Sequence, residues 1–460
     1  MRRSRVVWSQ STIDKISDLV LSFSVEASPM EVRRRSVTNR TLPALLILFA
    51  SVLPAANPFP KVGEINLNDR LAALGEPRLD YMSVWAVAFS PDGSRLAIEF
   101  GEPNEFLEFG RPITHRYLLV APVGSPETAV YWTNIAKLGF PGHPPFFDLE
   151  WAPDGSTLAF GMVLIGVPGG ETCRNRGGFL GFLSPTSGLI TVPYPAAVIA
   201  AMPGYGSPGA YIGPAALAPT IFGVIDSQCH LQEEWITDQP LRVDAISPDG
   251  DLLALAARNL NIAAIENRRP DLGVAELILV RPAATDLSTP TDPLQTLGHP
   301  LPEDGVPRKQ LAIESGKKIR VKQRLVGSAI FLDGAVCGLF EQGPYRGGRN
   351  VQMLCWNTET GKQVRQSRPI WSRSVLPLSA GGGRVAVGDS GQLSSGDSKA
   401  IPRRYAIWDF KSRKIIAEWS PELGKTMGAE LGAQLGLAIS PDGRLLAEAG
   451  SDSVRLYRLP

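Results

Sequence analysis

The side chains that could do chemistry are few. Gly388-Asp389-Ser390-Gly391 sets a serine among small residues, as a nucleophile requires, yet Gln392 stands where such a stretch carries another glycine. Tyr205-Gly206-Ser207-Pro208-Gly209 lacks the first glycine of a nucleophile elbow, and no α/β-hydrolase pattern follows it. Histidine, the usual general base, occurs only as His115, His143, His230 and His299, scattered along the chain. No close Cys-x-x-Cys or His-x-x-x-His spacing offers a zinc site, and neither a phosphate-binding glycine loop nor a calcium loop occurs, so no metal and no cofactor are expected. What remains is arginine. Arg174, Arg176, Arg258, Arg268, Arg269, Arg346, Arg349, Arg403 and Arg404, with Tyr345 and the acidic Glu102, Glu105 and Glu108, fall in stretches between apolar runs. Guanidinium forks suit carboxylate, phosphate or sulfate groups, and long exposed loops also carry charge for solubility alone.

The elements that must position these residues are legible in the composition. The 460 residues include 46 Gly and 39 Pro, about 18% together against roughly 12% in average proteins. Punctuation that frequent implies many short elements. Mean hydropathy is 0.00 and 44% of residues are hydrophobic, which argues against disorder as the main state. Basic and acidic residues balance at 46 to 45, which argues against a polybasic nucleic-acid binder.

A hairpin recurs. Phe89-Ser90-Pro91-Asp92-Gly93, Trp151-Ala152-Pro153-Asp154-Gly155, Ile246-Ser247-Pro248-Asp249-Gly250 and Ile439-Ser440-Pro441-Asp442-Gly443 each lie between apolar strands. Proline presets φ at the first central position, aspartate bonds to nearby amides, and glycine takes the left-handed conformation that closes the turn. The gaps between these units hold degenerate copies at Phe331-Leu332-Asp333-Gly334, at Ser379-Ala380-Gly381-Gly382-Gly383, and more weakly from Tyr211 to Ile225. Seven units over 84–460 give about 54 residues each, somewhat above the 40–45 of a four-stranded propeller blade. At these residues, and at Cys355-Trp356-Asn357 and Ile407-Trp408-Asp409, the chain resembles the WD-repeat β-propellers. The Trp151 to Gly155 unit is similar to the repeat of TolB-type periplasmic propellers. The resemblance spans about four-fifths of the chain and implies an all-β propeller of seven four-stranded blades, with six or eight left open. It departs from the WD pattern in lacking an evident Gly-His opening, and it implies no particular function.

The C-terminal Val454 to Leu459 reads as the third strand of the last blade. Val62-Gly63-Glu64-Ile65-Asn66-Leu67 alternates apolar and polar residues and supplies the missing fourth, closing the ring. If Pro-Asp-Gly joins strands one and two, the connections between strands two and three leave from the opposite face. The extra length is read there, as Glu102 to Thr114, Gly166 to Gly177, Arg258 to Gly273, Gln342 to Arg349 and Gly388 to Arg404. Insertions gathered on one face of a repeat protein mark its binding face. Residues 309–324, with Lys309, Lys317, Lys318, Arg320, Lys322 and Arg324, read as an exposed strand whose charges deter edge pairing.

At Met30 a second beginning appears. Arg33, Arg34, Arg35 and Arg40 precede an apolar run from Leu42 to Leu53, followed by Pro54-Ala55-Ala56. This is the plan of a secretory signal with cleavage at Ala55 or Ala56, and it is shorter than the roughly 20 residues of a spanning helix. The chain divides into an upstream extension 1–29, untranslated if Met30 is the start, a signal peptide 30–56, a closing strand and connector 57–83, and a propeller 84–460. Periplasmic or secreted location is expected, the alternative being an anchor through 42–56. Export permits disulfides. Cys337 and Cys355 fall opposite each other on consecutive strands, and Cys173 and Cys229 are placed in loops of adjacent blades that share a face. Each pair is either a disulfide or two buried thiols. The leading reading is an exported, non-catalytic, monomeric propeller that binds a protein, peptide or glycan, without nucleic acid and without a stable membrane span. The alternative is a propeller hydrolase or lyase using carboxylate and arginine residues at the channel rim.

Overall fold

Every Pro-Asp-Gly segment closes a hairpin. The computed structural model describes residues 57–80, 82–102, 115–125, 128–135, 149–170, 172–174, 177–192, 220–237, 241–257, 275–286, 306–313, 316–321, 325–342, 350–367, 375–389, 404–420, 436–450 and 452–460. In it Gly93, Gly155, Gly250 and Gly443 take φ between +70° and +75°, where a side chain is strained. Ser90 Oγ donates to Asp92 Oδ1 at 2.5 Å and Ser94 N donates to the same oxygen at 3.0 Å, so the turn is locked from inside. Ser247 with Asp249 and Ser440 with Asp442 repeat it.

These hydroxyls hold the carboxylates below their ordinary range. Asp92 falls to about 2, chiefly through Ser90 and then Ser94, and Asp249 and Asp442 are lowered in the same direction by Ser247 and Ser440. A depressed folded value contributes stability that is complete above the unfolded value of 3.8 and is lost as pH falls through about 2. The stability advantage of wild type over Ser90→Ala should therefore shrink between about pH 4 and pH 2 in urea titrations. An advantage that stays constant down to pH 2 would contradict the assignment.

The hairpins extend into seven antiparallel blades whose first strand is innermost. Blade one comprises Ser83–Phe89, Arg95–Gly101, Arg116–Pro122 and Tyr131–Asn134. Blade two comprises Leu149–Trp151, Thr157–Phe160, Val163–Gly166 and Thr172–Arg174, and blade three Phe179–Ser184, Ser187–Thr191, Ile221–Asp226 and Leu231–Ile236. Blade four is Leu241–Ile246, Leu253–Ala257, Ala275–Val280 and Lys317–Val321, and blade five Leu325–Leu332, Ala335–Gln342, Asn350–Asn357 and Gln363–Gln366. Blade six is Val375–Gly381, Arg384–Asp389, Tyr405–Asp409 and Lys414–Trp419. Blade seven takes Leu437–Ile439, Leu445–Ala449 and Ser453–Arg458 from the C-terminus and Lys61–Asn66 from the other end of the domain. Seven blades and the closing N-terminal strand agree with the sequence reading. Asn66 then caps a short helix, Leu67–Ala73, by accepting from Asp69 N at 3.1 Å, and Leu67 and Leu71 are buried.

Both faces of each blade are covered, so alternation distinguishes one neighbouring blade from the other rather than core from solvent. Leu96, Ile98 and Phe100 pack against blade seven, while Ala97 packs against blade two. Val385 and Val387 face blade five and Ala386 faces blade seven; Leu253 and Leu255 face blade three and Ala254 faces blade five. In blades one, four and six the second strand thus presents bulk to the preceding blade and alanine to the following one, whereas blades three and five turn Leu189 and Leu339 forward. Hydrogen bonds stitch the same interfaces. Trp151 Nε1 donates to Ala88 O at 3.2 Å, Ile439 N to Ser379 Oγ at 3.0 Å, and Arg95 Nη2 to Gly155 O at 2.7 Å.

Three expectations are corrected. The first hairpin of blade three is not in 211–225: it is Phe179–Ser184 and Ser187–Thr191 turning at Pro185-Thr186, and Ile221–Asp226 is that blade's third strand. In blade two, strands two and three are joined by Gly161-Met162, so the longer connection after Gly166 belongs to strands three and four on the Pro-Asp-Gly face. Residues 309–324 are not one strand. Arg308–Leu311 and Ala284–Asp286 leave blade four and extend blade three to six strands, Arg308–Leu311 running parallel to Leu231–Ile236, while Lys317–Val321 is the outer strand of blade four. Arg308 bonds Glu234 at 2.7 Å and Lys309 bonds Glu233 at 2.6 Å, fixing that register.

Candidate functional site

Five long connections, those between strands two and three, leave from one face, whereas the connection 281–316 between strands three and four of blade four leaves from the other. Between strands two and three of blades one, three, four, five and six lie residues 103–114, 193–219, 258–274, 343–349 and 390–403, all outside the described residues. The strand ends that carry them are described, and they are held rigidly. In blade one, Glu102 N donates to His115 O at 3.2 Å and His115 Nδ1 lies 3.2 Å from Glu102 Oε2, pairing the two stems. In blade three, Thr220 Oγ1 donates to Leu241 O at 2.5 Å and accepts from Leu241 N at 2.9 Å, tying the stem to blade four. In blade five, Gln352 Nε2 donates to Ser367 O at 2.6 Å and Met353 N to Ser367 Oγ at 3.0 Å.

Beneath the blade-one stem lies a buried ion pair. Arg116 Nε donates to Glu99 Oε1 at 2.6 Å, the guanidinium also bonds through Nη2, and the side chains are 3% and 0% exposed. The guanidinium sits 5.3 Å from the Trp85 ring and 5.0 Å from the Phe160 ring, so blades one and two both grip it. Gly101 leaves the necessary room, since a Cβ there would meet His115 O at 2.3 Å and the Trp85 ring at 2.8 Å. Glu99 occupies the forward side beside Ala97, where alanine in blades four and six admits the next blade. Sequence reasoning missed this pair. Its signal was present as a glutamate between Ile98 and Phe100 in an otherwise apolar strand, with an arginine opening the next apolar strand.

On the innermost strands, Asp244 accepts from Ala329 N at 2.5 Å and lies 2.6 Å from Arg242 Nη2. Burial pushes its pKa up, and Arg242 and the Ala329 amide oppose that shift. It joins blades four and five rather than standing in a carboxylate cluster. Among the described residues no group of three or more His, Cys, Asp or Glu could hold a metal ion.

Of the arginines read from the sequence, Arg404 is exposed at the stem of the blade-six connection, immediately before Tyr405–Asp409. Arg174 is exposed on the outermost strand of blade two, not in a connection between strands two and three. Arg176, Arg258, Arg268, Arg269, Tyr345, Arg346, Arg349 and Arg403 lie outside the described residues. The cysteines form two disulfides. Cys337 and Cys355 are direct cross-strand neighbours within blade five. Cys173, on the outer strand of blade two, joins Cys229 in the turn between strands three and four of blade three, so the bridge joins the outer rims of the two blades and not the connections between strands two and three where the sequence reading placed both residues. Non-reducing peptide mapping should recover Cys173 linked to Cys229 and Cys337 linked to Cys355. Four alkylatable thiols in protein isolated without reductant would contradict both.

The fold defined by these contacts is a seven-bladed β-propeller. No family model and no curated protein matches the chain. Among solved structures, a chain from the crystal structure of a mitotic checkpoint complex is 13% identical, with 89% of this chain and 98% of that one covered at a TM-score of 0.41. An oligogalacturonate lyase from Vibrio parahaemolyticus is 10% identical, with 82% and 89% covered at a TM-score of 0.42. The assignment of fold rests on the strand pairing within this chain.

Proposed function

We propose that this protein is an exported, non-catalytic binding module that engages a protein, peptide or glycan through the face bearing its long connections. One observation carries the reading: five long connections leave a common face of a ring whose strands and stems are fixed by interblade hydrogen bonds. Variable segments on a rigid scaffold are how repeat folds present binding surfaces. The arginines at 258, 268, 269, 346, 349, 403 and 404 belong to these connections or their stems and supply forks for carboxylate, phosphate or sulfate groups on the partner. The signal-like segment 30–56 directs the chain to the periplasm or the medium. Among the described carboxylates, Asp244 has a pKa raised by burial and is engaged with a backbone amide and Arg242, which favours binding over acid–base chemistry at that position.

The test is affinity capture from periplasm or culture supernatant, using wild type and a variant with Arg346, Arg349, Arg403 and Arg404 changed to alanine. A partner should be retained by the wild type and lost or reduced at least tenfold by the variant at unchanged melting temperature. Undiminished capture by the variant would sink the assignment of this face.

A further inference from the structure

The seven seams between blades are not packed alike. Among the described residues, the seam between blades two and three has a core of six buried apolar side chains, Ala152, Ala159 and Leu164 from one side and Phe182, Ile190 and Ile225 from the other. Each of the other six seams has at least ten. The thinnest of these cores is the one that a disulfide crosses, from Cys173 to Cys229. The two bridges of the protein also differ in setting. Cys337 and Cys355 are 0% exposed inside blade five. Cys173 and Cys229 are half-buried at the outer rim, and their chain neighbours Thr172, Arg174, Gln228 and His230 are exposed.

We propose that Cys173–Cys229 is a thiol–disulfide exchange site whose co-reactant is a dithiol, and that it serves as a reversible latch on the seam between blades two and three. Exchange needs a thiolate to reach one sulfur of the bridge, so access separates a reactive disulfide from an inert one. The first thiolate of the dithiol attacks Cys229 Sγ, which stands in a turn between two exposed residues. A mixed disulfide forms there, the Cys173–Cys229 bond breaks, and its electron pair leaves on Cys173 Sγ, which takes a proton. That thiol has an acceptor in place, because Ser227 O lies 3.4 Å from Cys173 Sγ. The second thiol of the co-reactant then displaces Cys229 Sγ, which is protonated in turn, and the co-reactant departs as its own disulfide. Two electrons and two protons pass to the protein, and exchange with a disulfide of the same class restores the bridge.

The two sides of the bridge respond differently to its loss. Cys173 belongs to the outermost strand of blade two, Thr172–Arg174, which is at the lower limit of strand length and is paired through Val163 with Arg174, Leu164 with Cys173 and Ile165 with Thr172. Cys229 sits in a turn that holds itself, since Cys229 N donates to Asp226 O at 3.0 Å and Asp226 Oδ1 accepts from Gln228 N and His230 N at 2.9 Å each. Reduction therefore frees the outer strand of blade two and leaves blade three whole.

The test uses the full chain purified without reductant. It is exposed to dithiothreitol under native conditions, quenched with N-ethylmaleimide at intervals and mapped by peptide mass. Cys173 and Cys229 should become labelled together, at least tenfold faster than Cys337 and Cys355. Labelling of all four at one rate would make reduction a consequence of global unfolding and would overturn the proposal. With glutathione in place of the dithiol, the mixed disulfide should be found on Cys229; glutathione on Cys173 would overturn the direction of attack. Hydrogen exchange of the protein reduced at the outer bridge reads the latch itself. Amides of 163–166 and 172–174 should exchange at least tenfold faster than in the oxidised protein, with 336–340 and 351–356 in blade five unchanged. A reduced outer bridge with unaltered exchange at 163–166 and 172–174 would overturn the latch.

Discussion

Arg116→Ala should destabilise the propeller by about 3–5 kcal/mol, the cost of leaving one member of a buried ion pair without its partner. The carboxylate of Glu99 is 0% exposed between blades one and two, and Arg116 donates to its Oε1 through both Nε and Nη2. Truncation also empties the space between the Trp85 and Phe160 rings, adding lost packing to lost charge. The measurement is urea unfolding followed by tryptophan fluorescence, which the interblade indoles make sensitive. Replacing the pair together, as Glu99→Leu with Arg116→Met, should recover much of the loss, because apolar residues of similar volume avoid the desolvation cost. A loss below about 1 kcal/mol for Arg116→Ala, the scale of an exposed pair, would contradict the described burial.

Deleting residues 57–70 should have a still larger effect. Lys61–Asn66 pairs with Ser453–Arg458 as the fourth strand of blade seven, and Ile65 and Leu67 are completely buried in the core shared by blades seven and one. The deletion removes these and exposes a sheet edge at the same time. It also removes Glu64, which accepts from Lys61 at 2.6 Å, from Ser453 at 3.0 Å and from Arg455 at 3.4 Å and so clamps the two ends of the domain together. The truncated protein should lose its cooperative thermal transition or aggregate on expression. A melting curve superimposable on that of wild type would refute closure by this strand.

The frame was readable because its turns repeat a chemical requirement. A left-handed glycine after Pro-Asp marks a hairpin wherever it occurs, and Gly334 and Gly382 carry the same backbone state in degenerate copies. The cross-strand placement of Cys337 and Cys355 followed from register, since Glu341 pairs with Val351 and Cys337 with Cys355 in one uninterrupted ladder, while the choice between a disulfide and two buried thiols did not. Blade three was illegible for the converse reason. Its turn at Pro185-Thr186 needs no left-handed glycine, and residues 193–219 part its second strand from its third. The strands Ala284–Asp286 and Arg308–Leu311 could not be assigned from local pattern, because they belong by sequence to blade four and by pairing to blade three. Glu99 and Arg116 were invisible to a search for sites on loops. They sit inside strands, where a polar residue signals either a bulge or a partner that only tertiary structure supplies. For the arginine-bearing connections, the described stems fix where each segment leaves the ring, and Arg404 is the member of that set described on this face.

The central claim is that the ring is a frame and that recognition lies in the connections on one face. It is tested most directly by replacing 103–114, 193–219, 258–274, 343–349 and 390–403, one at a time, with short Gly-Ser linkers. Melting temperature and capture of a partner from culture supernatant are then measured on the same preparations. Melting should stay within a few degrees of wild type while at least one replacement, centred on 343–349 or 390–403, abolishes capture. Capture that survives all five replacements, or is lost instead when the exposed turns of the Pro-Asp-Gly face are altered, would contradict the account.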